Sequence, residues 1–346
     1  MKLHDRTLGP GHPAFLIAEI GINHNGDLEL ARTAIDAAVK AGADAVKFQN
    51  YETDDFVSDR SLTFTYRSQG REVTESQYEM FKRFELSESM LMALAAHCAD
   101  LGTVFLSTPT GERGVAALVR AGSPALKNGS DFLGHLPLIA AMARTGLPTL
   151  LSTGMATAEE IAEAVVAFRT AGGRNLVLLH CISSYPAPAE AANLRKLITL
   201  RNHFDCLVGF SDHTEGYEAA ALAVACGACV VEKHFTLDHE LPGPDHWFSS
   251  TPKEFSALVQ AVRRTELMLG SEALIPAGAE ETSRLEFRLS CVAAVDLAPG
   301  MLISPATLMF QRPGHGLPPR DAEQLYGRRL LRSVRRGEVI LQEHLA

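Results

Sequence analysis

Two short apolar stretches, Cys206-Leu-Val-Gly-Phe-Ser-Asp-His213 and Cys229-Val-Val-Glu-Lys-His234, each end in a histidine. Each has the length and composition of a short buried strand, and residues 215–226 between them are typical of a helix. Two strands joined through a helix run parallel, so their carboxyl ends lie side by side. The pattern therefore predicts that His213 and His234 converge on one point and bind a metal ion at the strand ends of a barrel.

The same strand–helix unit repeats along most of the chain. The predicted strands are Phe15–Glu19, Ala45–Phe48, Thr103–Ser107, Ala125–Lys127, Thr149–Ser152, Leu176–His180, Leu207–Phe210 and Val230–Lys233. The predicted helices include Leu28–Ala41, Ser87–Leu101, Gly111–Ala121, Ala158–Ala171, Glu218–Cys226 and Pro252–Leu269. Eight such units predict an α/β fold, a (β/α)8 TIM barrel. A doubly wound open sheet is the alternative, but no G-x-G-x-x-G phosphate-binding sequence follows the first strand.

The chain is predicted to contain two domains. Residues 1–270 form the barrel, and residues 271–285, rich in Ala, Glu, Ser, Gly and Pro, form a linker. Residues 286–346 alternate short β-like pieces with turns and predict a small β-rich domain. Between the second strand and the helix near Ser87, residues 50–86 are predicted to be a long loop. A loop of this length is either a lid or binding loop, or a surface excursion without function.

Composition limits the classes of partner. The chain has 346 residues, 46% of them hydrophobic. Its net charge of −9 and pI near 5.8 argue against nucleic-acid binding, but they do not exclude an anionic substrate held in a locally basic pocket. No apolar stretch is long enough for a signal peptide or a membrane span, so the expected compartment is the cytoplasm. The six cysteines lie in apolar or small-residue contexts and are expected to be reduced thiols.

Polar side chains follow every predicted strand, where a TIM barrel has its active site. They include Glu19, Lys47, Gln49, Thr108, Lys127, Ser130, Ser152, Ser183, Tyr185 and Ser211. Two lysines and several hydroxyls predict a bound phosphate, and Glu19 is a candidate base or electrostatic anchor. A metal, a phosphate pocket and a carboxylate suit Lewis-acid activation of a carbonyl attacked by a phosphorylated carbon nucleophile. Several reactions fit this description.

Seven ordered motifs resemble the sialic acid synthase family. They are Ile17-Ala-Glu-Ile-Gly-Ile-Asn-His-Asn-Gly26, Val46-Lys-Phe-Gln49, Leu106-Ser-Thr-Pro109, Leu151-Ser-Thr-Gly-Met155, Phe210-Ser-Asp-His-Thr214, Glu232-Lys-His-Phe-Thr236 and Pro242-Gly-Pro-Asp-His246. The carboxyl-terminal region resembles the antifreeze-like (SAF) domain of that family. The resemblance implies a transferase that condenses phosphoenolpyruvate with N-acetylmannosamine or a related 2,4-diacetamido sugar. The products would be a nonulosonic (sialic-type) acid and phosphate.

The resemblance also implies roles for individual residues. His213 and His234 match two metal ligands, with Mn²⁺ as the expected ion and Mg²⁺ or Co²⁺ as alternatives; Glu19, Lys47 and Lys127 match catalytic positions. Positions implied to bind phosphoenolpyruvate are Lys47, Thr108, Lys127, Ser130, Ser183 and Ser211, and those implied to contact the sugar are Gln49, Tyr185 and Asp245. Ser152, at the end of a predicted strand, is a further candidate for substrate binding. Arg312 matches an arginine that the SAF domain inserts into the partner's active site, which implies a domain-swapped homodimer.

Three positions depart from the family pattern and leave the acceptor sugar open among N-acetylmannosamine, a legionaminic-acid precursor and a pseudaminic-acid precursor. They are Asn128, Asp131 and Ser183. Two other functions remain as alternatives. One is a metal-dependent sugar aldolase or isomerase that does not use phosphoenolpyruvate. The other is a carbohydrate-binding protein that kept the barrel without activity, which the presence of Glu19 and both lysines argues against.

Overall fold

Eight parallel strands form the centre of the amino-terminal part of the chain. In a computed structural model that describes residues 1–346, they are β1 (Phe15–Gly21), β2 (Ala45–Asn50), β3 (Val104–Pro109), β4 (Leu126–Asn128), β5 (Thr149–Ser152), β6 (Leu176–Cys181), β7 (Leu207–Asp212) and β8 (Val230–His234). Their order in the sheet is β3-β2-β1-β8-β7-β6-β5-β4. The two end strands, β3 and β4, also lie next to each other, so the sheet is a nearly closed barrel. The predicted TIM barrel is confirmed.

Helices connect the strands. They are α1 (Leu28–Ala41), α2 (Glu88–Asp100), α3 (Glu112–Arg120), α4 (Leu136–Arg144), α5 (Ala158–Thr170), α6 (Lys196–Phe204), α7 (Glu218–Ala225) and α8 (Pro252–Leu269). The Asp27 carboxylate caps the start of α1, and Gly42 ends it with a left-handed φ of 98°. Thr157 and Thr251 form capping boxes at the starts of α5 and α8. No helix combines the length and apolar character needed to cross a bilayer.

The long segment between β2 and α2 is not a plain loop, and that expectation is wrong. It contains two short helices, Thr53–Phe56 and Gln77–Arg83, and an antiparallel pair of strands, Thr63–Ser68 and Arg71–Ser76, called here the lid hairpin. Most side chains of the hairpin strands are exposed or half-buried. A hairpin without a buried face lacks the apolar alternation that identifies strands in a sequence.

Alternation along the barrel strands determines which side chains enter the barrel. On β1, Phe15 and Ile17 belong to the apolar floor inside the barrel, and Glu19 is the next inward residue. On β8, Val230 belongs to the same floor, and Glu232 and His234 follow at the same spacing of two residues. The inward positions therefore change from apolar to polar near the carboxyl end of each strand, where the floor gives way to a cavity.

Residues Ser271–Ala346 form a second unit, distinct from Met1–Gly270. It contains a helix, Glu281–Phe287, and two antiparallel strands, Ser290–Ala293 and Leu308–Gln311. A separate apolar core includes Cys291, Leu297, Ile303, Leu330 and Val334. The segment expected to be a linker, 271–285, is grouped with this unit, and its last residues are helical.

Candidate active site

A cavity of about 590 Å³ opens at the carboxyl ends of the barrel strands. It is lined by all the predicted site residues of the barrel, namely Glu19, Lys47, Gln49, Thr108, Lys127, Ser130, Ser152, Ser183, Tyr185, Ser211, His213, His234 and Asp245. The lid hairpin contributes Phe64, Thr65, Tyr66 and Arg67 to the same wall. The structure therefore places in one cavity residues that lie more than two hundred positions apart in the sequence.

Two lysines and two carboxylates form a buried ionic cluster at the closed end of the cavity. Lys47 Nζ lies 2.6 Å from Glu19 Oε2 and donates to Thr108 Oγ1 at 2.9 Å. Lys127 Nζ lies 3.2 Å from Glu232 Oε1, which also accepts from Ser211 Oγ at 3.0 Å. Glu232 is a polar residue at the end of a predicted strand, but the sequence alone assigns it no role. Its position two residues before His234, on the inward face of β8, is the sequence signal that could have identified it.

The two carboxylates of this cluster have different electrostatic environments. Burial raises the pKa of Glu19. The attraction of Lys47 opposes this rise, and the repulsion of the nearby Glu232 adds to it. Burial alone would raise the pKa of Glu232, but Lys127 and Lys47 outweigh it and lower the pKa to about 2. Burial would lower the pKa of Lys127, but Glu232 and Glu19 raise it. At neutral pH Glu232 is a fixed anion, and Glu19 is the carboxylate closer to exchanging a proton.

Beside Lys127, small residues form a hydroxyl-lined depression. The Ser130 Oγ atom accepts from the Gly154 N–H at 3.1 Å and lies 3.1 Å from Cys181 Sγ. The Ser152 hydroxyl is buried without any hydrogen-bond partner in the protein. Backbone N–H groups and hydroxyls next to a lysine suit a phosphate or carboxylate, and an unpartnered buried hydroxyl indicates room for a ligand atom.

Gly154 leaves this depression open, so Gly154→Ala is expected to weaken the binding of phosphoenolpyruvate at least tenfold. A Cβ atom there would lie 2.5 Å from Ser183 Oγ, 2.7 Å from Ser130 Oγ and 2.8 Å from Cys181 Sγ. Overpacking of this kind costs about 1–3 kcal/mol, and here it displaces the proposed phosphate donors. Titration of phosphoenolpyruvate by calorimetry measures the effect. Gly134→Ala is the matched control, because its Cβ would meet no atom within 4 Å; equal affinity in both variants would contradict the expectation.

The two histidines of the predicted metal site face each other across the cavity. Their ring centroids lie 5.5 Å apart. His213 Nδ1 lies 2.7 Å from the Ile182 carbonyl oxygen. A carbonyl oxygen can only accept a hydrogen bond, so Nδ1 carries the proton and donates, and Nε2 keeps its lone pair. The Nδ1 atom of His234 is buried and has no hydrogen-bond partner. Burial lowers the pKa of His213 to about 4 and that of His234 well below its ordinary value, so both rings are neutral.

Neutral, oriented imidazoles with free nitrogens are the form in which histidine binds a metal, so these two residues fit a divalent ion. Nowhere in residues 1–346 are three or more His, Cys, Asp or Glu side chains arranged to hold a metal. An ion bound here would take its remaining ligands from water or substrate, which is the arrangement of a catalytic site with open positions.

Aromatic and acidic side chains surround the histidines on the outer side. The Tyr185 ring packs on His213 with centroids 4.2 Å apart, and Phe248 packs on both Tyr185 and His234. Asp245 Oδ2 lies 3.9 Å from His234 Nδ1, and burial, with the nearby Glu19 charge, raises the pKa of Asp245 to about 7. Gln49 Nε2 donates to Glu19 Oε1 at 3.1 Å. This region offers hydrogen bonds and flat apolar surfaces, a combination that suits a sugar.

Two residues singled out in the sequence lie outside the cavity lining of the barrel. Asn128 does not line the cavity; its Oδ1 accepts from the Ser152 N–H at 3.0 Å and joins β4 to β5. Arg312 belongs to the second unit, where its guanidinium lies 5.0 Å from the centre of the Phe287 ring. The departure at Asn128 is therefore a structural substitution, whereas Asp131 and Ser183 do line the cavity.

The chain is similar to proteins of known activity over nearly all its length. It is 39% identical to the N,N'-diacetyllegionaminic acid synthase of Legionella pneumophila, covering 97% of this chain and 96% of that protein. It is 33% identical to the pseudaminic acid synthase of Campylobacter jejuni, with 95% of each covered. The crystal structure of the sialic acid synthetase of Leptospira borgpetersenii, in complex with citrate, superposes with a TM-score of 0.74 at 34% identity, covering 82% of this chain and 94% of that one.

Two family models divide the sequence in the same order as the two units of the structure. Residues 34–273 match the NeuB family, and residues 290–346 match the SAF domain. The first match spans most of the barrel. It includes both histidines and every member of the ionic cluster except Glu19. The chain therefore belongs to the NeuB family of nonulosonic acid synthases, with a carboxyl-terminal SAF domain.

Proposed function

We propose that this chain is a metal-dependent nonulosonate synthase that joins phosphoenolpyruvate to an N-acylated amino sugar and releases phosphate. The observation that carries the proposal is the shared cavity of two lysine–carboxylate pairs and two neutral histidines. The lysines suit a phosphorylated anion, and the histidines suit an ion that activates a carbonyl. The names of relatives at 33–39% identity support the same class of product.

The protein groups hold the two substrates and control charge. Lys47, Lys127 and the neighbouring serine hydroxyls would hold the phosphate and carboxylate of phosphoenolpyruvate. A divalent ion bound by His213 and His234, Mn²⁺ in this proposal, would polarise the aldehyde oxygen of the open-chain sugar. The enol CH₂ carbon of phosphoenolpyruvate then forms a bond to the aldehyde carbon, and positive charge develops at the carbon that carries the phosphate.

Glu19 is proposed to balance that charge. It is held by Lys47 and Gln49, and its raised pKa suits proton exchange with water. Water adds to the cationic carbon and loses a proton, with Glu19 as the acceptor. The bond between that carbon and the bridging oxygen breaks, and phosphate leaves with that oxygen. The new hydroxyl loses its proton and becomes the keto oxygen, while the former aldehyde oxygen gains a proton and becomes a hydroxyl, so a 2-keto acid results. Ring closure gives the nonulosonic acid.

The acceptor is proposed to be an uncharged 2,4-diacetamido sugar of the legionaminic-precursor type. The outer wall of the cavity is largely apolar, formed by Ile22, Phe56, Phe64, Tyr66, Met80, Phe81, Met155 and Trp247. Such a wall accommodates acyl methyl groups and deoxygenated carbons, and only one cation, Arg67, lines it. Two legionaminic acid synthases, 39% and 36% identical to this chain, support the same choice over N-acetylmannosamine and over a pseudaminic-acid precursor, whose synthase is 33% identical.

The active assembly is proposed to be a homodimer in which Arg312 completes the site of the partner chain. Exposed apolar side chains cluster at the end of α8 and in the residues that follow, including Leu267, Met268, Leu269, Leu274 and Ile275. Exposed apolar side chains in such number, close together in the sequence, are typical of a protein interface. A planar guanidinium presents several donors in fixed geometry, which suits the acyl carbonyl of the sugar.

The direct test is phosphate release from phosphoenolpyruvate with a panel of acceptors, with and without Mn²⁺. We expect turnover only when phosphoenolpyruvate, metal and acceptor are all present, and the highest kcat/KM with 2,4-diacetamido-2,4,6-trideoxymannose. Preference for N-acetylmannosamine would contradict the acceptor while leaving the reaction intact. Cleavage of the sugar alone, without consumption of phosphoenolpyruvate, would instead identify an aldolase.

Each buried lysine is expected to contribute strongly to phosphoenolpyruvate affinity. A hydrogen bond to a charged group contributes about 1.5–3 kcal/mol, so Lys47→Ala and Lys127→Ala should each weaken binding at least tenfold. Loss of Lys127 also leaves the Glu232 anion facing the ligand. Calorimetric titration measures both dissociation constants, and Lys253→Ala on the outer surface of α8 is the control. Unchanged affinity in both variants would mean that the phosphate binds elsewhere.

A further inference from the structure

The last residues of β7 and β8 pair in a way that bears on both histidines. Ser211 is the register partner of Glu232, and Asp212 is the register partner of Lys233. Because side chains alternate, the Ser211–Glu232 pair faces the cavity and the Asp212–Lys233 pair faces the outside of the barrel wall. His213 and His234 follow immediately and face the cavity again.

The outward pair is a fully buried ion pair. Lys233 Nζ lies 2.9 Å from Asp212 Oδ2, and the two side chains are 4% and 0% exposed. The other oxygen, Asp212 Oδ1, accepts from the Thr214 N–H at 2.9 Å and from Thr214 Oγ1 at 2.7 Å. Lys233 Nζ also donates to the Thr214 carbonyl. The three residues form a closed polar cluster, and His213 lies between two of them in the chain, Asp212 at the end of β7 and Thr214 just beyond it.

The cluster holds the His213 backbone on the side that faces β8. On the other side, the Ala187 N–H donates to the His213 carbonyl at 2.7 Å, and the His213 ring donates to Ile182. Asp212 directly precedes His213, and Lys233 directly precedes His234. The ion pair therefore joins the two chain segments immediately before the two histidines. No other hydrogen bond in the structure connects side chains of these two strand ends on the outer face.

A buried ion pair is a weak source of stability, since removing two charges from water offsets most of their attraction. A pair of apolar residues would fill the same place between the barrel and its helices without that cost. What the ion pair adds is direction, because both carboxylate oxygens and the ammonium have fixed partners. A directional bond at this point fixes the distance between the two strand ends, and hence between the two imidazoles.

We propose that Asp212 and Lys233 are positioning residues for the metal site, an inference that rests on the proposed function because the metal is part of it. They touch neither substrate nor cavity. Partners outside the first ligands typically alter metal affinity 10- to 100-fold when removed. Asp212→Asn and Lys233→Met are therefore expected to weaken Mn²⁺ binding at least tenfold, while phosphoenolpyruvate binding to the metal-free protein stays within about twofold of the wild type.

The double variant Asp212→Asn/Lys233→Met separates positioning from stability. Each single variant leaves one buried polar group without its partner and is expected to melt at a lower temperature than the wild type. The double variant removes both charges, so its melting temperature should recover most of that loss. Its Mn²⁺ affinity should stay weak, because a neutral amide and a thioether do not restore the directional bond.

Asp44→Asn is the matched control at the opposite end of the barrel. Asp44 is also an aspartate in an ion pair; its side chain is 8% exposed, lies 3.0 Å from Arg263 and 2.8 Å from Arg6, and accepts from the Leu16 backbone N–H at 2.9 Å. It is expected to lower the melting temperature and leave Mn²⁺ affinity unchanged. Affinity is measured from the electron paramagnetic resonance signal of free Mn²⁺, and melting by circular dichroism, on the full-length protein.

The possible results point to different conclusions. Weak Mn²⁺ binding in the double variant, with recovered melting temperature and normal phosphoenolpyruvate affinity, supports the positioning role. Wild-type Mn²⁺ affinity in the double variant overturns it and leaves the proposed function standing. If the wild-type protein binds none of Mn²⁺, Mg²⁺ and Co²⁺, the metal itself is refuted, and both the proposed function and this inference fall.

Discussion

His213→Ala and His234→Ala are each expected to reduce turnover roughly a thousandfold without unfolding the barrel. An ion that polarises a carbonyl contributes several kcal/mol to the transition state, and about 4 kcal/mol corresponds to that factor. The proposed site has two protein ligands, so we expect that loss of one would leave a single imidazole, too few ligands to retain the ion at micromolar concentrations. Steady-state phosphate release gives the loss of turnover, and chelation followed by Mn²⁺ should abolish and then restore wild-type activity.

His180→Gln is the control for this prediction. His180 is also a buried histidine at the end of a barrel strand, but its Nε2 lies 2.7 Å from the Ala192 carbonyl and its ring does not line the cavity. Its replacement should lower stability more than turnover. Full activity of chelator-treated wild-type enzyme, or equal turnover in His234→Ala and His180→Gln, would contradict a metal at the two histidines.

The barrel was predictable because its strands are buried on both faces. Such strands are continuous apolar runs in a sequence, and polar residues mark their carboxyl ends. The structure extends several of them beyond the apolar run, for example to Asn50 and Asp212, because backbone pairing continues into the polar residues. The lid hairpin was missed for the opposite reason: its backbone hydrogen bonds stabilise it without burying either face.

The sequence predicted which residues lie at the strand ends and line the site. It did not predict which of them contact each other across the barrel. The inward alternation of β1 and β2 points Glu19 and Lys47 into the same space, and their pairing at 2.6 Å follows from neighbouring strands. The contact of Lys127 with Glu232 joins strands that are not neighbours in the sheet. Contacts of that kind depend on barrel radius and side-chain direction, which the sequence does not encode locally.

Mixing two impaired variants, Arg312→Ala and His213→Ala, is expected to restore about a quarter of wild-type activity, assayed at an acceptor concentration well below the raised KM of Arg312→Ala. The resemblance to sialic acid synthases implies that Arg312 serves the partner's site in a twofold dimer. Random exchange of equal amounts makes half the dimers mixed. In each mixed dimer, one site then has an intact histidine pair and an intact arginine, and the other site carries both lesions.

Arg320→Ala is the matched control, because Arg320 is a largely exposed arginine of the same domain, eight residues later in the chain. That variant should be active alone, and Arg312→Ala should lose activity mainly through a raised KM for the acceptor, since a guanidinium that holds an acyl group acts on binding. Subunit exchange is followed with differently tagged chains, so that the fraction of mixed dimers is known.

Recovery of activity in proportion to the mixed dimers requires that one chain supplies the arginine and the other the histidines. If Arg312 serves its own chain, every site in the mixture retains one lesion, and the activity remains the sum of the two parents. The two arrangements differ only in which chain's active site the SAF domain completes. We expect about a quarter of full activity if it completes the partner's site, and almost none if it completes its own. A monomer by light scattering at the assay concentration would reject the shared site independently of any activity.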